Sequence, residues 1–300
     1  MTNALDPRRR RDAMIKAGLW RDETLLDLFR RFVRETPGKI AVVSARTETG
    51  DETRLTFADL DRLSDEVAVG LMRRGIGAGD VVSFQPPNWW HFTVLHLAAL
   101  KLGAISNPLM IIFRERELTF MLGLAESKVF VVPKSFRGVD HVAIARGVQA
   151  AVASLRHVVV VDGEGDAAFD ALMAKDASPA ERASLAATTL SADAVIQLLY
   201  TSGTTGEPKG VSHTSNTMLS NLVPFAGRLG LGQDDVFHMP SPMAHQLGFM
   251  YGLVLPAMVG ATVVLQDIFV AATMHRQITG EGGTFTMGAT PFLNDLTEHV

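Results

Sequence analysis

The stretch Leu198-Leu199-Tyr200-Thr201-Ser202-Gly203-Thr204-Thr205-Gly206-Glu207-Pro208-Lys209-Gly210 decides how the chain reads. The apolar run from Val195 to Leu199 has the composition of a buried strand, and it breaks into a loop of Gly, Ser, Thr, Pro and a single Lys. Glycines let a backbone approach an anion closely, and successive free N–H groups in such a turn form an anion-binding concavity. The hydroxyls of Thr201, Ser202, Thr204 and Thr205 add donors, and Lys209 adds a point charge suited to phosphate. This is the chemistry of a polyphosphate clamp. It is not a Walker A loop, which has four residues between its glycines and then Gly-Lys-Ser/Thr. Here two residues separate Gly203 from Gly206 and Lys209 is followed by Gly210, which disfavours a P-loop ATPase. Taken alone, a loop of this composition also reads as a polar surface turn.

Around that loop lies an ordinary globular chain. Its 300 residues suggest about two domains or one large one, and 47% apolar against 20% charged residues supply ample core. A net charge of −4 argues against a general nucleic-acid binder. The absence of Cys excludes disulfides, thiolate catalysis and Cys-ligated zinc, and fits a cytoplasmic location. The basic cluster Arg8–Arg11 has no apolar segment behind it, so it reads as a solvated helix face and not as a secretory signal. Leu247 to Leu265 is uncharged and long enough to imitate a membrane span. Gly248, Gly252, Pro256 and Gly260 interrupt it, so we read a buried helix, a turn near Gly260 and a core strand, with no membrane span.

Periodicity lays out the rest. Thr24 is a candidate N-cap for a helix over Leu25–Arg34, and Ile40–Val43 and Arg54–Phe57 read as strands. An amphipathic helix over Phe57–Arg74 leads to a strand at Val81–Phe84. Thereafter helices (Trp89–Leu102, Glu115–Leu124, Asp140–Val152) alternate with extended segments (Ala104–Asn107, Lys128–Val132, Val158–Asp162). Asp162–Ala192 reads as a polar connection with a short helix. After the loop come a helix near Ser215–Leu229, a strand at Val236–Met239, the apolar helix, a strand at Thr262–Leu265, a helix near Ala272–Ile278, a strand at Thr284–Met287 and a helix start after Pro291. Such alternation implies an α/β fold with largely parallel sheet covered on both faces.

A second constellation, Phe237-His238-Met239-Pro240-Ser241-Pro242-Met243-Ala244-His245-Gln246-Leu247-Gly248-Phe249, sits where a strand gives way to a helix. Ligands of α/β sheets collect at such edges. His245 opens the helix, where the dipole disfavours an imidazolium, although a lone His beside apolar residues is often just a hydrogen-bonded helix-end residue. His238 and His245, seven apart, lack helical metal-ligand spacing.

The string Tyr-Thr-Ser-Gly-Thr-Thr-Gly-x-Pro-Lys-Gly over Tyr200–Gly210 resembles the signature of the adenylate-forming enzymes, which include acyl-CoA synthetases, firefly-type luciferases and adenylation domains of peptide synthetases. Pro242-Met243-Ala244-His245-x-x-Gly248-Phe249 is similar to that family's acyl-pocket motif, and Gly288-Ala289-Thr290-Pro291 to a segment lining the acyl and nucleotide pocket. Gly18-Leu19-Trp20, Ser83 to Trp90, Asn107-Pro108 and Phe113 to Leu118 resemble the cyclohexanecarboxylate–CoA ligase branch, with short- and medium-chain acyl-CoA ligases as neighbours. Trp89 and Trp90 read as helix-start core aromatics.

The resemblance implies a layered αβαβα sandwich of two similar subdomains, residues 1–79 with about 211–300 forming one and 80–210 the other. It implies that ATP and a carboxylate give acyl-adenylate and then, with coenzyme A, a thioester. Thr201, Ser202, Gly203, Thr204, Thr205, Gly206 and Lys209 would hold phosphates, with Thr201 near Mg²⁺, and His245, Gln246, Gly248, Gly288, Ala289 and Thr290 would line the acyl/nucleotide pocket. The family's Mg²⁺-binding Glu, ribose-binding Asp, hinge and C-terminal domain with its adenylation Lys have no counterpart up to Val300. The expectation is therefore an N-terminal portion that binds ATP weakly and turns over poorly. A non-catalytic interaction protein and an adenylation domain serving an acyl carrier protein remain as alternative readings, and a homodimer is the assembly to test.

Overall fold

The computed structural model describes residues 7–201 and 208–299. In chain order the elements are α1 (Pro7–Lys16), α2 (Leu25–Glu35), β1 (Ile40–Ala45), β2 (Glu52–Thr56), α3 (Phe57–Arg73), β3 (Val81–Phe84), α4 (Trp90–Leu102), β4 (Ile105–Pro108), α5 (Glu115–Leu124) and β5 (Val129–Pro133). A small hairpin of β6 (Ser135–Phe136) and β7 (Val139–Asp140) precedes α6 (His141–Ala151) and β8 (His157–Val161). The polar connection holds α7 (Phe169–Leu172) and α8 (Pro179–Ala186). Then follow β9 (Val195–Thr201), β10 (Lys209–Thr214), α9 (Ser215–Leu229), β11 (Val236–Met239), α10 (Gln246–Phe249), a π-helical turn (Met250–Val254), α11 (Leu255–Val259), β12 (Thr262–Gln266), α12 (Ala271–Glu281), β13 (Phe285–Thr286) and α13 (Thr290–His299).

The capping chemistry explains several boundaries. Thr24 accepts the Asp27 amide while the Asp27 carboxylate takes the Thr24 N–H, and Thr56 and Asp59 repeat this box at the start of α3. Left-handed glycines close several helices, Gly103 and Gly260 (φ +67° and +74°) among them. At Gly260 a Cβ would also lie 2.4 Å from the Phe32 ring, so both conformation and space demand glycine.

Two sheets organise the chain. One has the strand order β13-β11-β12-β1-β2, the other β10-β9-β4-β3-β5-β8. Within these two sheets all pairings are parallel except β1–β2 and β9–β10. Helices α2, α3, α4, α9 and the α10–α11 segment fill the layer between the sheets, α5 and α6 cover the far face of the second sheet, and α12 covers that of the first. The result is five layers, α/β/α/β/α. Strand β5 shows why both faces must be covered. Val129 and Val131 enter the central core, whereas Phe130 and Val132 enter the smaller core beneath α5 and α6.

Two local expectations change. The apolar segment after His245 is three short helical pieces, with Leu255 N–H reaching back to Met250 O across a π turn just ahead of Pro256. Proline has no N–H for the regular ladder, which accounts for re-registration at this point. Among the described residues no helix is long and apolar enough to cross a membrane. Second, Lys209 and Gly210 belong to strand β10 instead of the loop.

Candidate active site at the carboxyl edge of both sheets

The parallel strands of each sheet end on the same side of the molecule, and hydrogen bonds stitch the two rims together. Asn88, just past β3, donates through Nδ2 to the carbonyls of Ser241 (2.8 Å) and Gln266 (3.0 Å) and accepts the Met243 N–H through Oδ1 (2.8 Å). Trp89 Nε1 donates to Asp267 Oδ2 at 2.9 Å, and Trp90 N–H to Ser44 Oγ at 3.0 Å. Arg46 at the end of β1 packs 4.1 Å over the Trp89 ring and pairs with Asp162 at 2.6 Å. The segment Pro240–Gln246 that follows β11 is thereby fixed against the second sheet, in the crevice where α/β proteins bind ligands.

The glycine- and hydroxyl-rich loop is the connection of the β9–β10 hairpin. Thr201 faces Lys209 and Tyr200 faces Gly210 in register. Both Thr201 and Lys209 are exposed at the mouth of the hairpin. Ser202, Gly203, Thr204, Thr205 and Gly206 lie outside the described residues. The base of the hairpin is anchored by Tyr200, whose hydroxyl donates to Met121 O at 2.6 Å, and burial pushes its pKa up to about 12. At Gly210 a Cβ would come within 3.1 Å of Leu198 Cδ1.

On the opposite rim His245 is the N-cap of α10, is exposed, and accepts the Leu247 N–H at its Nδ1 (3.3 Å). Gln246 is half-buried, with Oε1 buried and unpartnered among the described residues. Gly248 is buried, and a Cβ there would lie 2.2 Å from Pro242 O, so its smallness lets the helix sit on the preceding turn. Gly288, Ala289 and Thr290 follow β13, the strand paired with β11. A Cβ on Gly288 would be 3.6 Å from Pro240 Cγ, so this segment borders the His245 loop. Ala289 and Thr290 are exposed at the start of α13, which begins one residue before Pro291.

Sequence reasoning left out the residues that position these groups. Asn88 and Asp267 act through partners remote in sequence, and of the two only Asn88, within the segment Ser83–Trp90, carried a local signal. Gln85 is fully buried and bridges Met110 O (2.7 Å), Phe113 O (3.2 Å) and His141 Nδ1 (3.3 Å), holding the start of the Phe113–Leu118 segment. Its position within the segment Ser83–Trp90 was the available signal.

The hairpin, the clamped rim and the five-layer fold define an α/β protein with a crevice at the carboxyl ends of its strands, the edge where such folds bind ligands. A family model for AMP-binding enzymes matches residues 29–300, and the chain belongs to that family. It is 36% identical over 287 residues to a medium-chain fatty-acid–CoA ligase of Escherichia coli (strain K12), covering 96% of this chain and 50% of that protein. It is 31% identical over 251 residues to a salicyl-AMP ligase / salicyl-S-ArCP synthetase of Mycobacterium tuberculosis (strain ATCC 25618 / H37Rv), covering 83% and 42%. Among solved structures, the apo structure of Mycobacterium smegmatis MbtA superposes with a TM-score of 0.86 at 29% identity, covering 98% of this chain and 53% of that one. The chain thus spans about half the length of the curated relatives it matches.

Proposed function

We propose that this chain carries the nucleotide- and acid-binding half of an ATP-dependent carboxylic acid–CoA ligase acting on a medium-chain or alicyclic acid. The observation that carries the reading is the β9–β10 hairpin with Thr201 opposite Lys209, in a chain 36% identical to a medium-chain fatty-acid–CoA ligase. A carboxylate oxygen attacks the α-phosphorus of ATP and pyrophosphate leaves with the electrons of the broken P–O bond. A thiol then displaces AMP from the acyl carbon. The first step needs no protein nucleophile, so the protein supplies orientation and charge stabilisation.

In this reading Thr201, Ser202, Gly203, Thr204, Thr205, Gly206 and Lys209 hold the β- and γ-phosphates, while His245, Gln246, Gly248, Gly288, Ala289 and Thr290 border the acyl and nucleotide pocket. The exposed ammonium and hydroxyl at the hairpin mouth fit a phosphate chain. In this reading the Thr201 hydroxyl and the substrate phosphates are donors offered to Mg²⁺. Mg²⁺ would neutralise developing phosphate charge there. The two sheets correspond to two subdomains, 1–79 with about 211–300 and 80–210, with β10 pairing back onto the second. We place the protein in the cytoplasm, and a homodimer is the assembly to check.

The test is carboxylate-dependent ATP–pyrophosphate exchange on this chain, with cyclohexanecarboxylate and a fatty-acid series. Exchange that follows acid identity names the substrate. Silence here and also in a chain extended to the length of the relatives would overturn the reading. A second reading, acyl transfer to a carrier protein, draws on the salicyl-S-ArCP synthetase relative. Thioester formed on a carrier and not on coenzyme A would select it.

A further inference from the structure

Gln197 lies in the middle of β9, upstream of the hairpin loop, and is fully buried. Neither its Oε1 nor its Nε2 has a hydrogen-bond partner among the described residues. Each buried polar group left unpaired costs about 1–3 kcal/mol, so such a side chain marks a place where something else binds.

Register identifies its neighbours. Gln197 faces Ser106 on parallel β4 and His213 on antiparallel β10. Partners in register point to the same face, with strands about 4.8 Å apart. Ser106 Oγ donates to Ile196 O at 3.0 Å and lies 2.8 Å from His96 Nδ1 on α4. With the serine proton on Ile196 O, His96 Nδ1–H is the donor and Nε2 is a lone-pair acceptor. That Nε2 is buried and unpartnered. The Phe249 ring meets His96 edge-on at 4.9 Å, and Gln246, with its own unpartnered Oε1, lies one turn earlier on that face of α10.

The buried unpartnered atoms of this region are thus His96 Nε2, Gln197 Oε1 and Gln246 Oε1 as acceptors and the Gln197 NH2, with its two N–H, as donor. Burial holds His96 at about 3 and lowers His213, so at neutral pH no side chain in the row is charged. An ion would sit there without a counter-charge, and an apolar group would leave the amide unpaired. A neutral group that donates and accepts fits both demands.

We propose that His96, Gln197 and Gln246 form an internal site for a neutral hydroxyl ligand. It joins the hairpin strand β9 to α4 and to the start of α10. The hydroxyl comes from ordered water or from a hydroxyl-bearing acid; the second source rests on the ligase reading and the first does not. A high-resolution crystal structure of the acid-free protein is the first arm, and an oxygen peak within hydrogen-bond distance of both His96 Nε2 and the Gln197 amide is expected. A dry site, or a Gln197 amide paired to protein groups, overturns the proposal whatever the fate of the ligase reading. The second arm measures binding of a matched acid pair, with and without a hydroxyl, to wild type and to Gln197→Leu. A hydroxyl preference of several-fold that vanishes in the variant assigns the substrate as source. No preference alongside the crystallographic peak assigns water. In the crystals of Gln197→Leu the peak is lost, and its persistence there would overturn the role of the amide.

Discussion

The Asn88 carboxamide accepts the Met243 N–H at 2.8 Å, joining the turn after β3 of one sheet to the turn after β11 of the other. With its two donated bonds to Ser241 and Gln266, this buried side chain fixes the segment that carries His245. Asn88→Ala leaves three backbone groups without partners in a buried seam. We expect a loss of about 3 kcal/mol in urea unfolding. Asn88→Asp can keep the Met243 contact but sets a carboxylate oxygen against the Ser241 and Gln266 carbonyls, so it should be destabilised as well. Equal stability of wild type and Asn88→Ala would show that the rims do not depend on this clamp.

Gly248→Ala tests whether α10 rests on the Pro240–Ala244 turn. In an ordinary helix this change gains about 1 kcal/mol. Here the new methyl would lie 2.2 Å from Pro242 O and 2.8 Å from Ser241 O. Backbone cannot swing away as a flexible side chain can, so the sign reverses. We expect about 2–3 kcal/mol of destabilisation by chemical denaturation; a neutral or stabilised variant would contradict the packing.

Much of the architecture was legible because local chemistry and tertiary structure agree. Thr24 with Asp27, and the apolar set Leu25, Leu26, Leu28, Phe29 and Phe32, set the start and the buried face of α2. Strand β10 was not legible. Its sequence Lys-Gly-Val-Ser-His-Thr is mostly exposed, and as an edge strand it gains its hydrogen bonds from β9 and not from an apolar pattern. The β6–β7 hairpin, two residues per strand, is shorter than any periodic signal. Asn88 and Gln197 were missed for a related reason, since a buried amide is defined by partners remote in sequence. The candidate site is legible as motifs, while its scaffold is not.

Lys101 joins α4 to α3 and is 1% exposed. Its ammonium meets Asp61 Oδ1 at 2.7 Å, Asp65 Oδ1 at 2.6 Å and Asp61 O at 2.8 Å. Lys101→Ala leaves a cavity and two facing carboxylates, each about a third exposed and so partly relieved by water. A loss of about 2–3 kcal/mol is expected, less than for a fully buried pair. Lys101→Met, which keeps the stem packing, should recover part of it. Identical losses for the two variants would assign the whole effect to charge.

Buried histidines give the stability a specific pH dependence. Burial lowers His96 to about 3, and burial aided by Arg114 lowers His141 to about 4 against the opposing Asp140. Both groups are neutral in the folded chain, while in the unfolded chain they take up protons below the ordinary value of 6.5. Their contribution is complete above that value and is lost as pH falls towards the folded pKa values. Between the ordinary His and Glu values of 6.5 and 4.5 carboxylates contribute little. In that window urea stability should fall by up to about 1.4 kcal/mol per pH unit for each such histidine. His141→Gln should make the slope shallower, and an unchanged slope would show that His141 titrates freely in the fold.

Equilibrium titration with ATP and with AMP, on wild type and on Lys209→Ala, tests the central claim most directly. If Lys209 at the hairpin mouth holds the distal phosphates, its removal weakens ATP by about tenfold or more, about 1.4 kcal/mol, and leaves AMP affinity unchanged. Equal ATP affinity in the two proteins, or equal losses for ATP and AMP, would contradict a phosphate-holding role for the hairpin.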